Sequence, residues 1–232
     1  VMQRMFRWMI WGFAFWTRVF RPEAGAMKAL STSMVIACMT VALSLILAIP
    51  AGYALSKRSL PMRSLFLLFF LLPQAFPTVA VHMNIARIFY GLGLTGTIWG
   101  VMLVHAIQGL VFAVWIASAS FAAIGDEQVE AARNLGASPL RAFMTISLPL
   151  AAPGLMASAI FVFLISLDEF SGTFFVGVPD VRTLPLTMLS AALEGSCQIA
   201  SITALLLLVP SILFMLFVER FLKADVLASV GK

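Results

Sequence analysis

Charge is what this chain has least of. Only 11% of its 232 residues are Asp, Glu, Lys or Arg, while 62% are hydrophobic, and mean hydropathy is +1.04. A soluble globular domain carries about 25% charged residues, so a water-exposed globule is excluded. Cysteine is also scarce. Cys38 and Cys197 each lie in or beside an apolar run, which excludes a disulfide framework and makes both small buried hydrophobes. The alternation of barrel strands is missing, which leaves the helix as the way to satisfy backbone hydrogen bonds in lipid. No G-x-x-x-x-G-K-[ST] loop is present to cradle nucleotide phosphates, so this chain does not hold or hydrolyse ATP by that device. H-E-x-x-H, G-x-S-x-G and paired intramembrane aspartates are absent too. His82 and His105 stand far apart with no carboxylate or thiol at ligand spacing, so the expectation is hydrogen bonding within the bundle and no metal site.

What the chain has is long apolar runs. Charge-free stretches cover 29–56, 64–86, 88–125, 142–167 and 195–218. Each is long enough to cross the hydrocarbon as a helix, which takes roughly 20 residues. The third stretch is too long for one span, and Gly91, Gly93 and Gly96 place its first part in a turn. The expected spans are 30–55, 64–81, 97–121, 150–168 and 198–221. With no internal repeat and no linker, they form one all-α, polytopic membrane bundle. Small residues Ala48, Ala51, Gly52 and Ala54 permit close packing of the first span. Pro50, Pro73, Pro77, Pro153 and Pro210 sit in or beside spans, where proline is tolerated. Pro73 and Pro77 bracket Gln74, Ala75 and Phe76 and break or bend the second span, either as a simple kink or as a shaper of a substrate path.

Net charge is +5 and the pI near 9.8, but orientation explains the basic residues better than a nucleic-acid partner does. Lys57, Arg58 and Arg63 share one loop, Arg133 and Arg141 another, and Arg220, Lys223 and Lys232 the end. Five spans put all three segments on one side, which the positive-inside rule makes cytoplasmic. Arg87 and Arg182 fall opposite.

Between the third and fourth spans lies a polar island with ordered punctuation. Asp126 suits a helix N-cap, and Glu127 and Glu130 place negative charge on the positive end of that helix. Gly136 suits the left-handed residue that ends it. Ser138 and Pro139 read as cap and first residue of a second short helix. Ala131 and Ala132 leave room for another surface to approach. Glu130-Ala131-Ala132, then Gly136 after three residues, then Ile146, Leu148 and Pro149 after nine more, matches E-A-A-x3-G-x9-I-x-L-P at all seven fixed positions.

At these residues the chain resembles the permease subunits of binding-protein-dependent ABC importers, of the MetI-like, type I architecture, over roughly residues 30–221. The resemblance implies an inner-membrane, multi-pass subunit in a complex with a second permease chain, homologous or identical, two ATP-binding subunits and a periplasmic substrate-binding protein. It implies that 126–149 is a coupling-helix region, where Glu130, Ala131, Ala132, Gly136, Ser138, Pro139, Ile146, Leu148 and Pro149 dock the ATP-binding subunit. No cofactor is then bound by this chain; ATP and Mg belong to the partner subunit. Such permeases usually carry one more span ahead of the first seen here. The expectation is therefore a sixth, N-terminal span missing through a misassigned start or a deletion, with residues 5–20 (Trp8, Trp11, Phe13, Phe15, Trp16) along the outer interface. The domain reading is 1–29 interfacial or periplasmic, 30–222 transmembrane and 223–232 a cytoplasmic tail.

Substrate is read from the second half. Asp168 and Glu169 are adjacent carboxylates after an apolar run. They either cap a span in water or form a cation-attracting rim on a translocation path. Gln108, Pro73 and Pro77 are the other path candidates, and Gln108 serves equally as an interhelical hydrogen bonder. Ser166 to Phe170, Arg182 to Leu186 and Ile199 to Leu222 look like the spermidine/putrescine branch, while related branches carry ferric iron, phosphonates or other small solutes. Residues 183–193 resemble the short re-entrant or interfacial helix that precedes the last span. A stand-alone channel or a membrane enzyme is the rival class, and neither has a supporting residue set here.

Overall fold

The structure is a computed structural model that describes residues 14–21, 25–57 and 62–230. The basic and aromatic residues Arg4, Arg7, Trp8, Trp11 and Phe13, together with Arg58 and Lys232, lie outside the described residues. In chain order the helices are α1 (Ala14–Val19), α2 (Ala26–Lys57), α3 (Arg63–Leu71), α4 (Thr78–Gly91), α5 (Ile98–Ala122), α6 (Asp126–Asn134), α7 (Pro139–Ala142), α8 (Leu148–Asp168), α9 (Ser171–Val176), α10 (Leu184–Leu193) and α11 (Cys197–Val230). A 3-10 turn, Leu72–Ala75, follows α3, and one π turn, Phe143–Ser147, joins α7 to α8.

Among the described residues, four helices are long and apolar enough to cross a membrane, and the number is five when a bent pair is counted as one broken span. That pair is the second expected span. Arg63–Ala75 and Thr78–Gly91 meet at 95°. The prolines cause the break: Pro73 opens the 3-10 turn, and Pro77 occupies the N-cap of α4 with no amide hydrogen to continue the ladder. Pro50, Pro153 and Pro210 stay inside α2, α8 and α11 without ending them. Gly93 and Gly96, at φ +67 and +74, turn the chain between α4 and α5 as expected.

Helices α2, α5 and α8 pack on one another as the centre of the bundle. Their core joins Ala48 and Leu55 to Ala113, Ala117 and Phe121 and to Ala151, Leu155 and Val162. Small residues set the spacing. A Cβ on Gly52 would fall 2.7 Å from Ala117 Cβ and 2.8 Å from the Ser118 amide nitrogen, and one on Gly154 would fall 1.9 Å from Ser120 Oγ. Lipid gives no hydrophobic drive between helices, so this dispersion-rich close approach holds them together. Helix α11 closes the bundle against α8 and α10, with Phe163 stacked on Phe214 at 3.9 Å between ring centres.

Several expectations are corrected. The second short helix of the polar island, α7, is present but runs on through the π turn into α8, so the apolar helix Pro139–Asp168 starts well before the expected span boundary at residue 150. Helix α11 continues to Val230, and Cys197–Phe217 is the part of it apolar enough to cross, against the expected 198–221. Cys38 and Cys197 are exposed on the faces of their helices instead of buried. An apolar environment for them therefore comes from outside the chain, as it does for any lipid-facing residue.

Candidate functional site

The polar island is built on local signals that work together. Helix α6 ends in a Schellman turn: the Gly136 amide donates to the Arg133 carbonyl at 3.0 Å, and the Ala137 amide to the Ala132 carbonyl at 3.0 Å. This turn requires the left-handed backbone of Gly136, φ +89. Ser138 Oγ then accepts from the Arg141 amide at 3.3 Å, and Pro139 takes the first helical position. Asp126 departs from its expected role. Gly125 is the N-cap of α6, and Asp126 pairs at 2.7 Å with Lys57 Nζ, which also donates to the Ile124 carbonyl. The pair fastens the end of α2 to the start of the island, although its carboxylate is 72% exposed, so it stabilises little and mainly fixes position.

Glu130, Ala131, Gly136, Ser138, Pro139 and Pro149 are exposed, while Ala132, Ile146 and Leu148 are half-buried. The sequence reading missed the side chains that stand out most, Leu135 at 89% and Leu140 at 67% exposed, with Met144 also open. An apolar residue at the C-cap of an otherwise polar helix was the available signal. Below this surface, Tyr53 of α2, Phe121 of α5 and Phe143 of the π turn form an aromatic cluster, with ring centres 4.8–6.0 Å apart. The cluster joins the start of the Pro139–Asp168 helix to α2 and α5.

At the other end of the bundle the structure parts the two adjacent carboxylates. Asp168 ends α8 exposed and lines a cavity of about 220 Å³ with Met188, Leu207 and Ser211. Glu169 is only 9% exposed and accepts from Ser171 Oγ at 2.8 Å and from the Gly172 amide at 2.7 Å. Ser171 has one hydroxyl hydrogen. Since that goes to Glu169, the 2.6 Å contact from His82 Nδ1 to Ser171 Oγ has the histidine as donor. His105 joins the same region, bonded to Ser166 Oγ at 2.9 Å and to Thr173 Oγ1 at 3.0 Å. The two histidines, distant in sequence, thus tie α4 and α5 to the α8–α9 corner. Gln108 is half-buried in α5, and Pro73 and Pro77 lie at the break of the second span; neither group meets Asp168 in its cavity.

Comparison with known proteins agrees with this architecture. A family described as "Binding-protein-dependent transport system inner membrane component" matches residues 41–224. A Streptomyces antibioticus protein named as an ABC transporter permease, ORF1, is 29% identical over 206 residues, covering 86% of this chain and 89% of that protein. The trehalose transport system permease protein SugB of Mycobacterium tuberculosis is 28% identical over 220 residues, covering 88% and 77%. Among solved structures, the MetNI methionine ABC transporter in an inward-facing conformation aligns with a TM-score of 0.68 at 15% identity, over 85% of this chain and 94% of that one. That likeness shows the fold. The chain belongs to the inner-membrane permease family of binding-protein-dependent ABC importers, as a multi-pass, helical membrane subunit.

Proposed function

We propose that this permease moves a small polar solute into the cytoplasm when its polar island, residues 126–149, is driven by an ATP-binding subunit docked on it. The observation that carries this is the exposed apolar set of Leu135, at the end of the polar helix α6, with Leu140 and Met144 at the start of the helix that runs on into α8. Exposed apolar side chains ringed by polar ones are what a partner surface buries. Ala131 and Ala132 keep the approach close, and Glu130 and Arg133 rim it. ATP and Mg are held by the partner and supply the driving force there. This chain contributes the lever: closure of the partner shifts a two-state equilibrium of the spans through the Tyr53–Phe121–Phe143 cluster. A second permease chain and a periplasmic binding protein complete the assembly.

Leu135→Glu with Leu140→Glu tests the docking. Both residues are exposed, so the permease should reach the membrane in normal amount. Capture of the ATP-binding subunit from detergent extracts should fall at least tenfold, a loss of about 1.4 kcal/mol or more. Capture at the level of the unaltered protein would remove the docking assignment.

The finer reading, a polyamine, is carried by Asp168 alone, because Glu169 is engaged by Ser171 and Gly172. Relatives are named for trehalose, 2-aminoethylphosphonate and osmoprotective compounds, and a small polar solute is the description these share. Uptake of labelled spermidine by the reconstituted complex, set beside a panel of such solutes, decides whether the carboxylate at Asp168 selects a cation.

A further inference from the structure

Away from the polar island, two cavities open around Arg182, two residues ahead of α10. One, of about 380 Å³, is lined by Arg18, Arg182, Thr187, Ser190, Glu194 and Thr203, among others. The second, of about 420 Å³, shares Arg182 and Thr187 and adds Lys28 and Asp180. Arg18 comes from α1 and Lys28 from the first turn of α2, so the basic residues ahead of the first span converge on the loop before α10. Among the described residues, Lys57–Asp126 is an ion pair and His82 Nδ1 lies 3.5 Å from Glu169, and none of these five charged groups takes part in either contact. Three cations and two carboxylates thus line two cavities that meet at Arg182 and Thr187, with no ion pair among them in the described residues.

We propose that these cavities hold a small zwitterion, a phosphoryl anion joined to an ammonium. The guanidinium forks of Arg18 and Arg182 offer paired donors, and Lys28 adds a third, separate cation. A phosphoryl group, with several equivalent oxygens, matches donors arriving from three elements. The acceptor side is built differently. Thr187, Ser190 and Thr203 each give their hydroxyl hydrogen to a carbonyl of their own helix, at 2.8–3.0 Å. Thr203 is buried, while the lone pairs of Thr187 and Ser190 join the Glu194 carboxylate as an acceptor wall suited to an ammonium. The volume lies in the range of small-ligand sites. The same headgroup chemistry occurs on a free solute and on an aminophospholipid. Trp16 and Phe20 are exposed and stacked on each other at α1 and the turn after it, and Trp is an aromatic type enriched at a membrane interface. The inference goes beyond the transport reading, and its test needs neither nucleotide nor a binding protein, so the two can fail separately.

The experiment uses the purified permease–ATP-binding-subunit complex in dodecyl maltoside, which has no phosphate or amine. One arm titrates O-phosphoethanolamine calorimetrically, with ethyl phosphate as the same anion lacking the amine. The other extracts the complex from membranes containing phosphatidylethanolamine and measures retained lipid by native mass spectrometry. Saturable O-phosphoethanolamine binding supports a solute site, and retained phosphatidylethanolamine supports a headgroup site. Arg18→Gln and Arg182→Gln should each weaken whichever is seen by about tenfold, with complex recovery unchanged because both side chains are exposed. Glu194→Gln should erase the preference over ethyl phosphate, and Arg87→Gln, the same charge change outside both cavities, should alter nothing. Absence of both binding and retention, or unchanged values in the two arginine variants, overturns the site. Equal binding of ethyl phosphate by the unaltered protein overturns its zwitterionic character.

Discussion

Gly136 and Gly52 are both glycines that resist replacement, for opposite reasons. At Gly136 nothing lies within 4 Å of where a Cβ would sit, but the backbone is at φ +89, so the penalty is conformational alone. Gly136→Val should cost about 1–3 kcal/mol, concentrated in the turn between α6 and α7. The permease should still insert, while substrate-stimulated ATPase activity and uptake by the reconstituted complex collapse; uptake at the unaltered rate would refute this role for the turn. At Gly52 the obstacle is space. A Cβ there meets Ala117 Cβ at 2.7 Å and the backbone of Ala117 and Ser118 within 2.9 Å, and backbone has no rotamer to yield with. Gly52→Leu should therefore push α2 and α5 apart, at about 1–3 kcal/mol or more. A lower thermal midpoint and reduced recovery of monodisperse permease are the expected readouts. The Gly136 turn was legible in the sequence because its cause is local. The Gly52 packing was legible only as a run of small residues; that Ala117 receives it depends on a pairing no local pattern specifies.

Among the elements, the α8–α9 corner shows most clearly where a sequence stops being informative. Asp168 and Glu169 read as one acidic feature, yet α8 ends between them and their carboxylates go to different places. Glu169 is claimed by the amide and hydroxyl opening α9 and by His82 from the far side of the second span's break, partners that folding alone brings together. Glu169→Gln keeps a carbonyl oxygen for Gly172 but loses the charge-assisted bonds, at a cost of about 1–3 kcal/mol. Recovery of the complex should fall while uptake per assembled complex holds. Asp168→Asn, changing an exposed group, should leave recovery intact. If Glu169→Gln left recovery intact and lowered uptake per complex, the buried carboxylate would belong to transport and not to the corner. The proline break, by contrast, was legible, since the missing amide hydrogen of Pro77 acts wherever the chain goes. Its 95° angle was not, because it is set by what α4 packs on, chiefly α9.

At the scale of the whole molecule, the helical membrane bundle followed from where charge is absent, and counting the bent pair as one of five spans puts the loop at Lys57, the polar island and the end of α11 on one side. The structure adds a physical link at each end. Lys57 reaches Asp126 and the Ile124 carbonyl, joining the end of the first span to the polar island. At the opposite end, the Gly96 amide donates to the Val176 carbonyl at 2.7 Å, and Asp180 lies over Gly96. Arg18 and Lys28 share cavities with Arg182 at this second end, so the N-terminal basic residues lie opposite the side that holds Lys57, Arg63, Arg133 and Arg141. The positive-inside rule counts the residues flanking every span, and here the other loops outweigh the N-terminus. A background with Cys38→Ala and Cys197→Ala is needed, since both thiols are exposed. In it, Ser138→Cys should stay unlabelled when an impermeant maleimide is added to intact cells, and should label once they are broken open. Asp180→Cys, also at an exposed position, should label in intact cells. The reverse pattern would invert the bundle, place the Leu135–Leu140 surface where no ATP-binding subunit can reach it, and bring down the docking proposal along with the orientation.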